Sequence, residues 1–291
     1  HFDHIAVAEE DSVALSRRMK RGGEGPAAYG KVAVGVVRLP FISNYTDFDC
    51  FEQESVVDLV YFERPAEIFQ FDAVIIPGSK NTLDDLAFLR RSGLADAILS
   101  FYRTGGTVVG VCGGYQMLGR VVRDPHGVES DLQRVPGLGL LEMETEMYLD
   151  KITTQVEAVV VAESQFPEAR NASLRGYEIH MGRSESAGGC RPLFHIIIRN
   201  GEEAFEADGL ISEDGRVWGT YIHGIFDNDA LRRSFVSQLK QRSGKPSDVD
   251  AGPLSFLQWK EEQYDRLAEH VRRHADVSRI LEILGLRVEA R

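Results

Sequence analysis

Four short apolar runs constrain the fold more than any other feature of the chain. Val32–Val37 is β-branched almost throughout and is bounded by Pro40. Val56–Phe62 follows, then Phe71–Ile76, which Pro77-Gly78 stops, and then Thr107–Val111. Runs of this length and composition fit strands of a parallel sheet that is buried on both faces. Between the third and fourth lies a helical pattern. Thr82-Leu83-Asp84-Asp85 opens it, and Leu86, Leu89 and, beyond Gly93, Leu94, Ile98 and Leu99 recur at helical spacing. Strand and helix alternating at this pitch predict a doubly wound α/β sheet.

The rest of the chain is less regular. From Pro136 to about Ala207 it is strand-rich with glycine turns, with strands expected over Thr154–Ala162 and His195–Arg199. Further strands are expected at Gly209–Ile211 and Val217–Ile222, and a helix at Leu231–Leu239. Lys245-Pro246-Ser247 and Gly252-Pro253 mark a linker. The tail is helical, with Phe256, Leu257, Tyr264, Leu267, Ala268 and Val271 near the 3.6-residue repeat and a short last helix around Ile280, Leu281 and Leu284. At the other end, residues 1–30 are poorly periodic. A capped helix start at Glu9–Leu15 and a glycine-rich stretch, Arg21–Pro26, suggest a linker to something upstream, and the first residue is His1 rather than Met.

Composition removes several function classes. The 291 residues carry 33 Lys+Arg against 45 Asp+Glu, a formal charge of -12, so an acidic chain without a basic run is expected to have no nucleic-acid partner. No apolar run approaches the ~20 residues of a membrane span, and no signal peptide is visible, so no membrane partner is expected. Cys50, Cys112 and Cys190 are odd in number, widely spaced and without a CxxC. They predict reduced thiols and a cytoplasmic setting rather than a disulfide framework or a metal site.

The chemistry is expected at Gly110-Val111-Cys112-Gly113-Gly114-Tyr115-Gln116. A buried strand runs into a cysteine, two glycines and a helix, the layout of a nucleophile elbow. The glycines permit strained dihedrals and close backbone approach, and a helix N-terminus favours thiolate. The bland reading is a buried cysteine beside a tight turn. A nucleophilic thiol needs a base, and two histidines compete: His223 in Tyr221-Ile222-His223-Gly224-Ile225-Phe226, and His180 in Gly176-Tyr177-Glu178-Ile179-His180-Met181-Gly182. The residues alone do not choose between them. Acyl transfer also needs donors to an oxyanion. The Gly78 amide, directly after the third strand, and the Gly113 amide are the expected pair, against the alternative of an ordinary strand-ending turn.

Taken together, Cys112 in G-V-C-G-G-Y-Q, His223 in Y-I-H-G-I-F and the Pro77–Thr82 loop resemble the class I (Triad) glutamine amidotransferase family. Gly176–Gly182 is similar to the Y-E-I-H-M-G motif of its cobyrinate-amidating branch, and Leu39–Asp49 resembles the L-P-x-I-S-N-x-T-D-F-D stretch found in the cobyric acid synthases of that branch. The resemblance implies an α/β, flavodoxin-like, mostly parallel sheet flanked by helices, with a helical C-terminal tail. It implies Cys112 as nucleophile and His223, not His180, as base, with Gly78, Gly113, Gly114, Tyr115 and Gln116 around the glutamine. It divides the chain into a linker (1–30), an amidotransferase domain (31–243) and a helical tail (244–291).

For activity, the resemblance implies a glutaminase whose ammonia amidates the b, d, e and g carboxylates of adenosylcobyrinic acid a,c-diamide. The glutaminase of cobyrinate a,c-diamide synthase and a catalytically idle interaction module are the alternatives. No cofactor or metal is expected in this chain. ATP, magnesium and the corrinoid are expected to engage an N-terminal synthetase domain, because no G-x-x-x-x-G-K-[ST] occurs here. The wider family carries His-x-Glu, but Ile225 stands where that Glu would be, so no residue orienting His223 is evident. Ser43–Asp49 is assigned no catalytic role. It is expected to face the synthetase or the corrinoid, or to form an Asx-type turn with a helix cap. Cys50 and Cys190 are expected to be bystanders.

Overall fold

A computed structural model describes residues 30–162, 165–246 and 255–285. Apart from Gly30, the expected linker lies outside the described residues. In chain order the elements are β1 (Val32–Val37), β2 (Ile42–Ser43), α1 (Asp49–Glu52), β3 (Val57–Phe62), β4 (Ala73–Ile76) and β5 (Gly78–Ser79). Then come α2 (Thr82–Arg91), α3 (Leu94–Arg103), β6 (Thr107–Val111), α4 (Gly113–Leu118), β7 (Val121–Arg123) and β8 (Arg134–Pro136). The long strands β9 (Met143–Val160), β10 (Leu174–Ser186), β11 (Arg191–Arg199) and β12 (Glu202–Ile211) follow, and β13 (Val217–Thr220) and α5 (Asp229–Arg242) complete the body. Beyond it, α6 (Phe256–His274) and α7 (Val277–Ile283) belong to a second compact unit.

The apolar runs become the parallel heart of the sheet, in the order β3-β1-β4-β6-β13. This is the flavodoxin-like order, with its reversal between β1 and β4, where the carboxyl ends of the strands open a crevice. Every residue of β1 and β4 is buried. Each fully buried Val or Ile there contributes roughly 1.5–3 kcal/mol of apolar burial. β12, β11 and β9 extend the sheet antiparallel from β13. β7 joins β9 in parallel, and β10 pairs with β9 as a long antiparallel ribbon.

Helices cover the faces for local reasons. Asn81 caps α2 by accepting from the Asp84 amide at 3.1 Å, and Leu83, Leu86 and Leu89 form its buried face. Gly93, at φ 81°, ends that helix and starts α3, so the single predicted pattern is two helices. α5 packs through Phe235 against Trp218 of β13, ring centroids 5.8 Å apart and nearly perpendicular. In the second unit, Ser255 caps α6 and Asp276 caps α7.

β10 is the element the sequence pattern does not show. Its inward positions are held by Glu178, His180 and Gly182, so the usual alternation of apolar-in and polar-out is missing. β9 likewise starts at Met143, well before the expected Thr154.

Candidate active site

Cys112 sits between β6 and α4 at φ 51°, ψ −110°. For a residue with a Cβ this conformation costs on the order of 1–3 kcal/mol, and it persists only where the surroundings hold it. They do hold it: the Cys112 amide donates to the Thr220 carbonyl at 2.8 Å, tying the elbow to β13. Behind it the backbone of α4 is pressed against β4. A Cβ on Gly114 would lie 1.9 Å from the Ile76 carbonyl oxygen, so only glycine fits there. The thiol is 6% exposed and donates to the Ile179 carbonyl of β10 at 3.7 Å.

His223 follows β13. Its backbone is bridged to Tyr177, whose amide donates to the His223 carbonyl at 3.2 Å and whose carbonyl accepts from the His223 amide at 2.8 Å. The Tyr177 ring stacks on the imidazole, centroids 5.1 Å apart. His223 is 1% exposed, and its Nδ1 lies 2.7 Å from Asp47 Oδ2. Burial disfavours the imidazolium. The Asp47 carboxylate and the Cys112 sulfur, by charge and by hydrogen bonding, outweigh burial and hold His223 well above the usual histidine range.

The other expected residues fall into two groups. Gly78 borders the imidazole, since a Cβ there would lie 3.3 Å from His223 Cε1. Gly113 lies against the same loop, its virtual Cβ 2.9 Å from the Ser79 amide nitrogen. Cys112, Gly113, Gly78 and His223 therefore converge at the carboxyl ends of β4, β6 and β13. Tyr115 and Gln116 form the floor beneath. The Tyr115 ring is buried in the core, edge-on to Tyr221 at 5.2 Å. Gln116 is also buried, accepting from Thr82 Oγ1 at 3.1 Å and donating to Tyr221 Oη at 3.3 Å. His180 is turned away from the thiol. Its ring stacks on Tyr221 with centroids 3.9 Å apart, and its Nδ1 bonds the Gly182 carbonyl at 2.7 Å.

The Ser43–Asp49 stretch forms a turn, but not the helix cap expected with it. A 3₁₀ turn spans Tyr45–Phe48 and Asn44 adopts the left-handed conformation, but no side chain caps the turn. Asn44 Nδ2 instead donates to Tyr177 Oη at 2.7 Å. The Asp47 carboxylate is buried against His223, and its Oδ1 accepts from the Gly224 amide at 2.9 Å. Asp47 offered two signals, its place in the Leu39–Asp49 stretch and an acidic side chain near the carboxyl edge of the sheet, and neither pointed to His223. Among the described residues, no group of three or more His, Cys, Asp or Glu is placed to hold a metal ion. Among them, too, no helix is long and apolar enough to cross a membrane.

Asp85 ties the two loops together, accepting from the Phe41 amide at 3.1 Å and from Ser79 Oγ at 2.6 Å. Burial pushes its carboxyl up to about 6, against those hydrogen bonds, and the like charges of Asp84 and Glu129 add to the rise. The folded state therefore holds this proton more tightly than the unfolded chain. The resulting stability is full below the unfolded value of 3.8 and is lost as pH rises to about 6. Asp85→Asn does not titrate. Its stability relative to wild type is expected to rise over that window by on the order of 3 kcal/mol and to stay level above it, as measured by urea denaturation between pH 4 and 8.

The fold and the cysteine–histidine edge place the molecule among class I glutamine amidotransferases. The fold superposes on that of PurLQS from Thermotoga maritima with a TM-score of 0.52 and 18% identity, covering 73% of this chain and 97% of that one. A solved glutamine amidotransferase gives 0.51 and 16%, covering 72% and 98%. The chain belongs to the CobB/CobQ-like glutamine amidotransferase domain family, whose model matches residues 33–231. Among curated proteins it is 59% identical to the cobyric acid synthase of Syntrophobacter fumaroxidans, over 98% of this chain and 55% of that protein. It is 44% identical to the cobyric acid synthase of Moorella thermoacetica, over 98% and 54%. The chain thus spans about half the length of the curated relatives it matches.

Proposed function

We propose that this chain is the glutaminase portion of a cobyric acid synthase. The observation that carries the reading is the meeting of a strained, buried Cys112 with a buried His223 at the carboxyl edge of a flavodoxin-like sheet, in a chain 59% identical to a protein of that name.

The reaction is an acyl transfer. The Cys112 proton passes to His223, and the sulfur attacks the glutamine carboxamide carbon. The carbonyl oxygen becomes an oxyanion, and the Gly78 and Gly113 amides are its proposed donors. When the intermediate collapses the C–N bond breaks, and His223 returns its proton to the departing ammonia. A γ-glutamyl thioester remains. Water then gives a proton to His223 and adds to the thioester carbon, and collapse releases glutamate and the thiol. The ammonia is proposed to serve an ATP-dependent amidation of corrinoid carboxylates in the half of the relatives' length that this chain does not span. The free thiols suit a reducing, cytoplasmic setting.

The test is covalent labelling with 6-diazo-5-oxo-norleucine, mapped by mass spectrometry. One adduct is expected, on Cys112, and it is suppressed by excess glutamine. Equal, glutamine-insensitive modification of Cys50, Cys112 and Cys190 would overturn the reading.

A further inference from the structure

We infer that Asp47 is the positioning carboxylate of this site: it fixes the proton of His223 on Nδ1 and aims Nε2 at Cys112. This rests on reading Cys112 and His223 as nucleophile and base. It supplies from the turn after β2 what position 225 lacks, since Ile225 stands two residues beyond the histidine.

The geometry is specific. A carboxylate only accepts, so the 2.7 Å contact from Asp47 Oδ2 requires the hydrogen on His223 Nδ1. The neutral ring then carries its lone pair on Nε2, the tautomer that takes a thiol proton. The carboxylate is itself held. Oδ1 accepts from the Gly224 amide at 2.9 Å, so the group cannot rotate away from the ring. The groups facing the imidazole are Asp47, the Cys112 sulfur and the stacked Tyr177 ring. The Tyr177 hydroxyl, bonded to Asn44, is pushed up to about 12 by burial and stays neutral. Asp47 is therefore the carboxylate bonded to the ring. Both partners are at least nineteen-twentieths buried, so the bond is shielded from water.

An Asp–His pair can also be no more than a tether between two loops, and Asp47→Asn separates the roles. The amide oxygen still accepts from Gly224, so the tether survives, but the amide NH₂ faces Nδ1 and forces the proton onto Nε2. The variant is expected to melt near the wild type. Its kcat should fall about 10²- to 10⁴-fold with little change in KM, since replacing the orienting carboxylate of a catalytic triad by its amide costs about 10⁴. Imidazole ¹⁵N shifts, read at a pH high enough to leave the ring neutral, should report the proton on Nδ1 in the wild type and on Nε2 in the variant. Cys112 alkylation by iodoacetamide should slow, because the thiol loses its base. Asp47→Glu should restore the Nδ1 tautomer and part of the rate.

Asp47→Asn with the wild-type tautomer and the wild-type alkylation rate would overturn the inference. The tautomer and alkylation measurements need no glutamine. A wild-type chain whose Cys112 alkylates faster than that of Asp47→Asn yet hydrolyses no glutamine would therefore fail the proposed function and still decide the role of Asp47.

Discussion

Cys112→Ala is expected to remove glutamine hydrolysis, with turnover falling by about 10⁴-fold or more, as when a covalent nucleophile is deleted from a catalytic triad. The loss is chemical and not structural. The side chain is small and its deletion leaves little void, so soluble yield and melting should be unchanged. The backbone sharpens the prediction. At φ 51° and ψ −110° this position is one that glycine adopts far more readily than cysteine. Cys112→Gly should therefore be equally inactive and at least as stable as wild type, because it releases a strain of on the order of 1–3 kcal/mol. Thermal melting read beside glutamate release checks both halves. A glycine variant clearly less stable than wild type would mean that the elbow is not strained.

Gly114→Ala is expected to do the reverse, striking the fold before the chemistry. Its methyl would stand 1.9 Å from the Ile76 carbonyl oxygen and 2.5 Å from the carbonyl carbon. These atoms belong to β4, which pairs with β1 on one side and β6 on the other and so cannot step back. The collision must push α4 off the sheet. A loss of about 4 kcal/mol or more follows, against a total stability of roughly 5–15 kcal/mol for a folded protein. Poor soluble yield, or a melting point lowered by ten degrees or more, is the expected result. A melting point within two degrees of wild type would show that α4 does not press on β4 as described. Gly113→Ala meets only a 2.9 Å approach to the Ser79 amide and should be milder.

The parts that were legible share a physical cause. β1, β4 and β6 are buried on both faces, so they read as unbroken apolar runs, and the elbow reads as a strand, a cysteine and two glycines. The resemblance then placed His223 ahead of His180, and the structure sets His223 beside Cys112 while His180 stacks on Tyr221. β10 was hidden because, after Leu174, its buried positions are polar or glycine: Glu178, His180 and Gly182. Asp47 was hidden for another reason. It lies 176 residues from its histidine, and no local pattern carries a partner across that distance. The sequence showed a gap at Ile225, and the folded sheet sets the Asp47 carboxylate 2.7 Å from the His223 ring.

The same separation bears on how the protein is made. As the chain leaves the ribosome, Asp47 emerges early, the thiol later, and His223 only after β9 to β13 have followed. Until β13 takes its place beside β6, Cys112 has neither His223 beside it nor its elbow, because its amide rests on Thr220 of that strand. A half-synthesised chain therefore carries an ordinary cysteine, and the proposed reactivity arrives only when the last parallel strand closes the sheet.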